Sequence, residues 1–237
     1  MIPKKLHFTF KSSNLPPEYQ DNLRVWRKYC HDWDIYFYSD EHILSFFEIH
    51  FPQYLDDVKK IKGAVLADVF RYGVIYIFGG VYSDIDTVPV KPIPDDWLLK
   101  ECVMGYEYQP SKFECWDHKF FKKDTLCQWT FLAKPKHPLL KDALDKSIQN
   151  LREKNYKLTS IVDVLRATGP ILFTEVAEKY FDNPNTHLLD IQIFSPKNLK
   201  SKDLSKCIVY HQFHGKIGWK VDFKIKEKLS HLNWNQN

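Results

Sequence analysis

A helix, a double glycine and a short strand follow one another within residues 63–86, GAVLADVFRYGVIYIFGGVYSDID. Apolar side chains recur at helical spacing in the first part, and the pair Gly79-Gly80 is a strong helix stop. Residues 81–83 then resemble a short strand that leads directly into two aspartates, one residue apart. A helix that runs straight into a strand is typical of α/β proteins, so this segment favours that fold class.

Alternating elements continue on both sides of this segment. We expect strands at residues 5–10, 33–40, 81–83, 102–108, 128–133, 187–194 and 207–213, and helices from 17, from about 41, over 52–61, over 63–78, over 138–154 and after 170. This order predicts an α/β domain with a mostly parallel central sheet. No repeat or linker divides residues 1–237, so we expect a single domain. Residues 107–125 are predicted to form an irregular excursion, rich in aromatic side chains and lysine.

Composition excludes several classes of protein. Hydrophobic residues make up 44% of the chain and charged residues 27%, as in ordinary globular proteins. The net charge of +4 is mild and the lysines are dispersed, so nucleic acid is not the expected partner. No apolar run reaches the 18 residues of a transmembrane helix, and we expect a soluble, cytosolic protein.

The cysteines indicate neither a structural metal site nor a disulfide framework. There are five of them, an odd number, widely spaced and without a C-x-x-C pair. Free thiols in a reducing compartment are the simplest interpretation.

Four charged residues within residues 63–86 point to chemistry. Asp68 and Arg71 are three apart on the predicted helix and share a face, and the glycine pair turns the chain so that Asp84 and Asp86 lie nearby. Carboxylates in close proximity repel one another unless a cation lies among them. The simpler alternatives are a solvated turn for the two later aspartates and an exposed helical salt bridge for the earlier pair.

The position of the aspartates favours a metal site over a solvated turn. Open α/β sheets bind ligands at the carboxyl ends of their strands, where Asp84 and Asp86 are expected. Carboxylate oxygens suit Mg²⁺ or Mn²⁺, which also accept the oxygens of substrate phosphates. A lone D-x-D is weak support, however, because it arises by chance in many proteins.

A longer pattern is more specific. Residues 64–86 fit A-x-x-x-D-x-x-R-Y-x-x-x-Y-x-x-G-G-x-Y-x-D-x-D, which resembles the D-x-D region of glycosyltransferase family 32. Other stretches are similar to that family too, namely IPKKLHFTF, WDIYFYSDE, ATGPILFTEV and HGKIGW. The chain departs from the family pattern at Phe10, where a Trp is usual, and at Gly218, where a Ser is usual.

The resemblance implies a GT-A fold and a metal-dependent transfer of a sugar, with retention of configuration, from a nucleotide-sugar. Asp86 would then coordinate Mn²⁺ or Mg²⁺, and Asp84 would contact the donor and reach the metal through water. Asp68 and Arg71 would hold the hexose hydroxyls. A histidine near the C-terminus would complete the metal shell, with His214 the better match and His211 an open alternative.

Further donor contacts are expected from residues outside the D-x-D block. Lys216 or Lys220 could place a cation at the phosphates. Phe8 and Phe10 could stack on the base, although aromatic residues after a first strand usually pack internally. Tyr72 is a candidate donor contact that also suits the core. UDP and GDP stay equally open, and so does the hexose. A glycan or glycolipid acceptor is expected beside residues 107–125.

Two other functions are compatible with parts of the pattern. A nucleotide-sugar or glycan-binding module without transfer activity would need no intact acid and base residues, yet Asp68, Arg71, Asp84 and Asp86 are all present. A metal-dependent phosphoester hydrolase would normally need more His and Asp ligands for a two-metal site. No separate general base is nominated, because retention fits a same-face mechanism in which the departing phosphate helps to deprotonate the acceptor.

Overall fold

The computed structural model describes residues 1–201 and 203–213, in which helices and strands alternate along most of the chain. The strands are β1 (Lys5–Thr9), β2 (Asp34–Tyr38), β3 (Gly80–Ser83), β4 (Thr87–Pro89), β5 (Cys102–Tyr108), β6 (Thr125–Leu126), β7 (Thr130–Ala133), β8 (Thr186–Leu189) and β9 (Val209–His211). The helices are α1 (Pro17–Tyr29), α2 (Asp40–His50), α3 (Leu55–Val58), α4 (Ala64–Phe78), α5 (Asp95–Leu98), α6 (Pro138–Glu153), α7 (Ile161–Ala167), α8 (Pro170–Ala177) and α9 (Ile191–Phe194).

Seven of these strands form one mixed sheet. Its order is β2-β1-β3-β7-β5-β6, with β8 paired to β5, while β4 and β9 form a separate two-stranded ribbon. Strand β1 pairs in parallel with β2 and β3, and β5 pairs in parallel with β8. Strand β7 is antiparallel to both of its neighbours, β3 and β5, and β6 is antiparallel to β5. Five strands therefore point the same way, and the predicted α/β class with a mostly parallel sheet is confirmed.

Helices cover both faces of the sheet and create two apolar layers. One layer packs α2, α4, α6 and α8 on the sheet around buried side chains such as Phe70, Leu140 and Phe173. The other contains Trp26 of α1, Trp97 of α5 and Phe194 of α9. Because both faces are covered, polar side chains can gather and still reach solvent at the ends of the strands. The end of the sheet at which the parallel strands have their carboxyl ends is called the carboxyl edge below.

The junction between α4 and β3 depends on its two glycines. Gly79 and Gly80 have φ values of 65° and 101°, which residues with a Cβ rarely adopt. A Cβ on Gly80 would also collide with the backbone oxygen of Lys5 on β1. His7 of β1 is buried, and its Nε2 lies 3.1 Å from the carbonyl oxygen of Gly79. The junction thus places β3 directly against β1 and directs its carboxyl end to the sheet edge.

Several short elements differ from expectation. The strand predicted over residues 187–194 is wrong in its second half: β8 ends at Leu189, and α9 follows because Ile191 and Phe194, three residues apart, both pack inward. The helix predicted over residues 52–61 is a 3₁₀ turn, Pro52–Tyr54, followed by the short α3. The sequence patterns did not indicate β4, α5, β6 and α7, which are too short to show a clear period.

The irregular segment predicted over residues 107–125 and the absence of a membrane-spanning helix can also be compared with the fold. Strand β5 extends to Tyr108, and between it and β6 the chain forms neither helix nor strand, apart from one bridge between Cys115 and Leu199. Within residues 1–201 and 203–213, every helix is too short or too polar to span a lipid bilayer. The single-domain organisation and the cytosolic location stay predictions.

Candidate active site

The two aspartates of the D-x-D lie in a turn at the carboxyl end of β3. The backbone N–H of Asp84 donates to the carbonyl oxygen of Trp129, 2.8 Å away, and the N–H of Thr87 donates to the carbonyl of Asp84 at 3.1 Å. Strands β1 and β5 end at the same edge, since both run parallel to β3 in the sheet. The aspartates therefore occupy the edge at which open α/β sheets bind ligands.

The ribbon of β4 and β9 brings a histidine to these aspartates. Thr87 pairs with His211 in this ribbon, and the N–H of Gln212 donates to the carbonyl oxygen of Asp86 at 2.8 Å. Asn22 of α1 donates to the carbonyl of Ile85 at 3.0 Å, which holds the centre of the turn. Asn22 of α1 and the end of β9 are thus both fixed against the turn at residues 84–87, although they lie far apart in the chain.

Asp84, Asp86 and His211 form a cluster suited to a divalent cation. One ligand atom from each lies within 4.8 Å of the others. His211 Nε2 is 2.9 Å from Asp86 Oδ1, and the ring packs against Trp129 and Phe213. Its Nδ1 is buried and has no hydrogen-bond partner within residues 1–201 and 203–213. Two carboxylates and an imidazole with an unused nitrogen fit a divalent metal ion, and the choice between Mn²⁺ and Mg²⁺ is open.

Arg71 of α4 joins the two acidic pairs predicted from the sequence. Its Nη2 lies 3.2 Å from Asp68 Oδ1 and 3.1 Å from Asp84 Oδ1, and its Nη1 donates to the carbonyl of Gln128 at 2.9 Å. The guanidinium also lies over the ring of Tyr82, whose hydroxyl donates to Asp84. Asp68 and Arg71 are both buried, so the alternative of an exposed helical salt bridge is wrong.

Burial sets the electrostatics of this network. It raises the pKa of Asp68 to about 6, although Arg71 and the hydroxyl of Thr168 act in the opposite direction. Burial likewise raises the pKa of Asp84, and again the charge of Arg71 opposes the shift. For Arg71 itself, burial lowers the pKa, but the neighbouring aspartates outweigh it and the net shift is upward. Arg71 is therefore a permanent buried cation behind the D-x-D turn.

Gln128 and Thr168 order Asp68, and Tyr72 connects these two residues to each other. Gln128 Nε2 and Thr168 Oγ1 each donate to one oxygen of Asp68 at 2.8 Å. The Tyr72 hydroxyl lies 2.6 Å from Gln128 Oε1 and 2.8 Å from the carbonyl oxygen of Thr168, and it can donate to either. Thr168 belongs to the family-like T-G-P stretch, which was the only available indication; nothing in the sequence pointed to Gln128.

The aromatic residues predicted to contact the donor differ in how deeply they are buried. Phe8 is fully buried against Trp26, so its proposed stacking on a base is wrong. Tyr72 is also fully buried, and it orders Gln128 and Thr168 instead of facing a ligand. Phe10 is only partly buried and packs on Tyr19, so its donor contact stays a prediction.

Other site predictions remain open. His214, Lys216 and Lys220 lie outside the described residues. His211, the open alternative, is the histidine that the described residues place beside the aspartates. The hexose contacts assigned to Asp68, Arg71 and Asp84 also stay predictions.

Comparison with solved structures identifies the fold. The chain is similar to the PaToxG glycosyltransferase, with a TM-score of 0.52 and 18% identity over 76% of this chain and 70% of the other. It is also similar to the UDP-bound glycosyltransferase domain of the YGT toxin, with a TM-score of 0.53 and 10% identity over 79% of each chain. The fold is that of the GT-A glycosyltransferases, and the predicted fold is confirmed.

A family match makes the assignment more specific. Residues 16–104, which include the D-x-D turn, match the family described as glycosyltransferase sugar-binding region containing DXD motif. The resemblance to glycosyltransferase family 32 is thereby confirmed, whereas glycosyltransferase activity of the chain stays a prediction.

Three similar curated proteins come from yeasts. The chain is 28% identical to the initiation-specific alpha-1,6-mannosyltransferase of Candida albicans, over 77% of this chain and 54% of the relative. It is 24% identical to the protein of the same name from Saccharomyces cerevisiae, over 85% and 59%. Inositol phosphoceramide mannosyltransferase 1 of Schizosaccharomyces pombe is 27% identical, over 78% and 54%. The chain spans between half and three fifths of the length of these relatives.

Proposed function

We propose that this protein transfers a hexose from a nucleotide-sugar to a glycan or glycolipid acceptor, and that the transfer depends on a divalent cation. The observation that carries the proposal is the meeting of Asp84, Asp86 and His211 at the carboxyl edge of a GT-A sheet. Mannose is the hexose that the names of the yeast relatives favour. A glycolipid acceptor is supported by the name of the inositol phosphoceramide mannosyltransferase.

In this proposal some residues bind the metal ion and others orient those ligands. A divalent cation held by Asp84, Asp86 and His211 would act as a Lewis acid on the diphosphate leaving group. Arg71 keeps a positive charge beside Asp84, which favours the ionised carboxylate and fixes its orientation. Asp68, held by Gln128 and Thr168, in turn fixes Arg71. These buried contacts are formed before any ligand arrives, so little reorganisation is needed during the reaction.

Retention of configuration is proposed to proceed on one face of the sugar. In this scheme the bond from the anomeric carbon to the diphosphate breaks, and its electron pair leaves with the phosphate. The acceptor oxygen bonds to the same face of that carbon, and its proton passes to the departing phosphate oxygen. No general base from the chain is required in this scheme.

The test is hydrolysis or transfer from a panel of nucleotide-sugars. UDP- and GDP-linked mannose, glucose, galactose and their N-acetyl forms are incubated with the protein and with Mn²⁺, Mg²⁺ or EDTA, and the released nucleotide is measured. We expect nucleotide to be released from one of these donors, and only when a divalent metal ion is present. Asp86→Asn should abolish metal-dependent release, whereas Asp95→Asn, at an exposed position, should not change it.

The outcomes separate the alternatives. Metal-dependent release that survives Asp86→Asn would remove Asp86 from the metal site. Release that is equally fast in EDTA would overturn the proposed metal dependence. Binding of a nucleotide-sugar without release, even with methyl α-mannoside present, would favour the nucleotide-sugar-binding module.

A further inference from the structure

Glu107 is a buried carboxylate at the same sheet edge as the D-x-D turn. It lies near the carboxyl end of β5, and only 8% of the residue is exposed. Its backbone carbonyl accepts from Asn198 Nδ2 at 2.7 Å, which holds the main chain in place. No donor within residues 1–201 and 203–213 forms a hydrogen bond to its carboxylate, and its oxygens are not among the fully buried atoms that lack a partner, so the small exposed part of the residue includes the carboxylate.

The backbone at Glu107 departs from the regular ladder. Tyr106 pairs with Leu126 and Tyr108 pairs with Thr125, so Glu107 is an extra residue on β5, as in a β-bulge. Bulges re-aim side chains and are common beside active sites. The unusual backbone therefore coincides with the unpartnered carboxylate.

The charges around Glu107 belong to the candidate active site. Burial raises the pKa of Glu107, and the charges of His211 and Lys197 oppose the shift, with smaller effects from Asp84 and Arg71. Glu107 thus lies within electrostatic range of two proposed metal ligands and of Arg71.

We propose that Glu107 is a further substrate-binding residue, whose carboxylate accepts hydrogen bonds from hydroxyl groups of a hexose bound at this edge. A carboxylate that loses its remaining water when a ligand binds needs donors in exchange, and hexose hydroxyls are the donors that a nucleotide-sugar or glycan would bring. A diphosphate would be repelled by the same charge, so Glu107 faces sugar and not phosphate. This inference rests on the proposed function, and the hexose is either the donor sugar or the acceptor sugar.

The test compares Glu107→Ala and Glu107→Gln with the wild type. Dissociation constants are measured by calorimetry in Mn²⁺ for bare UDP and GDP and for the nucleotide-hexose that the wild type binds. Rates are measured for donor hydrolysis in water and for transfer to methyl α-mannoside. Glu101→Gln is the matched control, because Glu101 lies just before the other end of β5 and pairs with Lys134. No hydrogen bond to the Glu107 carboxylate is lost, so Glu107→Gln, which keeps the size of the side chain, should not lower the melting temperature.

Each arm gives a distinct result. If Glu107 binds the donor hexose, Glu107→Ala weakens nucleotide-hexose binding by about tenfold and leaves bare nucleotide binding within about twofold. If it binds the acceptor, donor binding and hydrolysis are unchanged while KM for methyl α-mannoside rises by about tenfold. Glu107→Gln keeps an acceptor oxygen without the charge and should lie between Glu107→Ala and the wild type.

Two results would overturn the inference, and they differ from each other. Wild-type behaviour of both Glu107 variants in every arm would show that water alone satisfies the carboxylate, and the proposed function would stand. Failure of the wild type itself to bind any nucleotide-hexose in Mn²⁺ would overturn the proposed function and the role of Glu107 together.

Discussion

His211 Nε2 lies 2.9 Å from Asp86 Oδ1, although 125 positions separate the two residues in the chain. The pairing of β4 with β9 creates this contact, because Thr87 lies opposite His211 in the ribbon and Asp86 directly precedes Thr87. Strand pairing, not sequence proximity, therefore determines which histidine can join the two aspartates.

His211→Asn should weaken metal binding. Replacing the imidazole removes one of three clustered ligand groups, so we expect the dissociation constant for Mn²⁺, measured by calorimetry, to rise by at least about tenfold. His31→Asn, at an exposed position, is the control and should leave the constant unchanged. Unchanged Mn²⁺ affinity in His211→Asn would exclude His211 from the metal site.

Thr168→Val should destabilise the protein by about 1–3 kcal/mol, because a buried hydrogen bond to the charged Asp68 is lost with little change of shape. Thr186→Val is a matched control: within residues 1–201 and 203–213, the buried Thr186 Oγ1 has no hydrogen-bond partner. That variant should be neutral or slightly stabilising. Urea denaturation measures both free energies of unfolding. Equal effects of the two substitutions would contradict the role assigned to Thr168.

Gly80→Ala should be far more harmful than Gly63→Ala. Both glycines have positive φ, but a Cβ on Gly63 meets nothing within 4 Å, whereas one on Gly80 collides with the backbone of Lys5. The backbone strain is common to both, about 1 kcal/mol or more, so the difference reports the close approach of β1 and β3. Thermal unfolding should give a clearly lower melting temperature for Gly80→Ala, and similar values for the two variants would refute this interpretation.

Asp57 should make stability depend on pH at a position away from the candidate site. Burial raises its pKa, but hydrogen bonds from Arg152 and Tyr156 outweigh that effect, so the pKa lies below the ordinary 3.8. A carboxyl group with a lowered pKa in the folded state stabilises the protein above its unfolded pKa, and this stabilisation is lost as the pH falls through the folded pKa.

The corresponding variant is Asp57→Asn. It should lower the free energy of unfolding at about pH 7, and the deficit relative to the wild type should shrink as the pH falls below about 4. Asp56→Asn, its exposed neighbour, is the control. Urea denaturation across that range measures the difference; a deficit that does not change with pH would contradict the lowered pKa of Asp57.

Sequence patterns predicted the part of the site that is local in the chain. Asp68, Arg71, Asp84 and Asp86 lie within 19 residues, and helical spacing followed by a glycine turn is enough to bring them together. Sequence patterns could not show that Asp68 and Arg71 are buried, because burial depends on the helices that cover α4. They also could not separate a core role from a ligand contact for Phe8 and Tyr72.

The amino-acid sequence alone determined the α/β class, the helix-to-strand turn and the D-x-D, because periodicity and glycine conformations act over a few neighbouring residues. Only the tertiary structure decided that His211 joins the aspartates, that Gln128 and Thr168 hold Asp68, and that Glu107 lies unpartnered at the same edge. These contacts depend on strand order and register, which local patterns do not encode. They form when the sheet brings the ends of separate strands together.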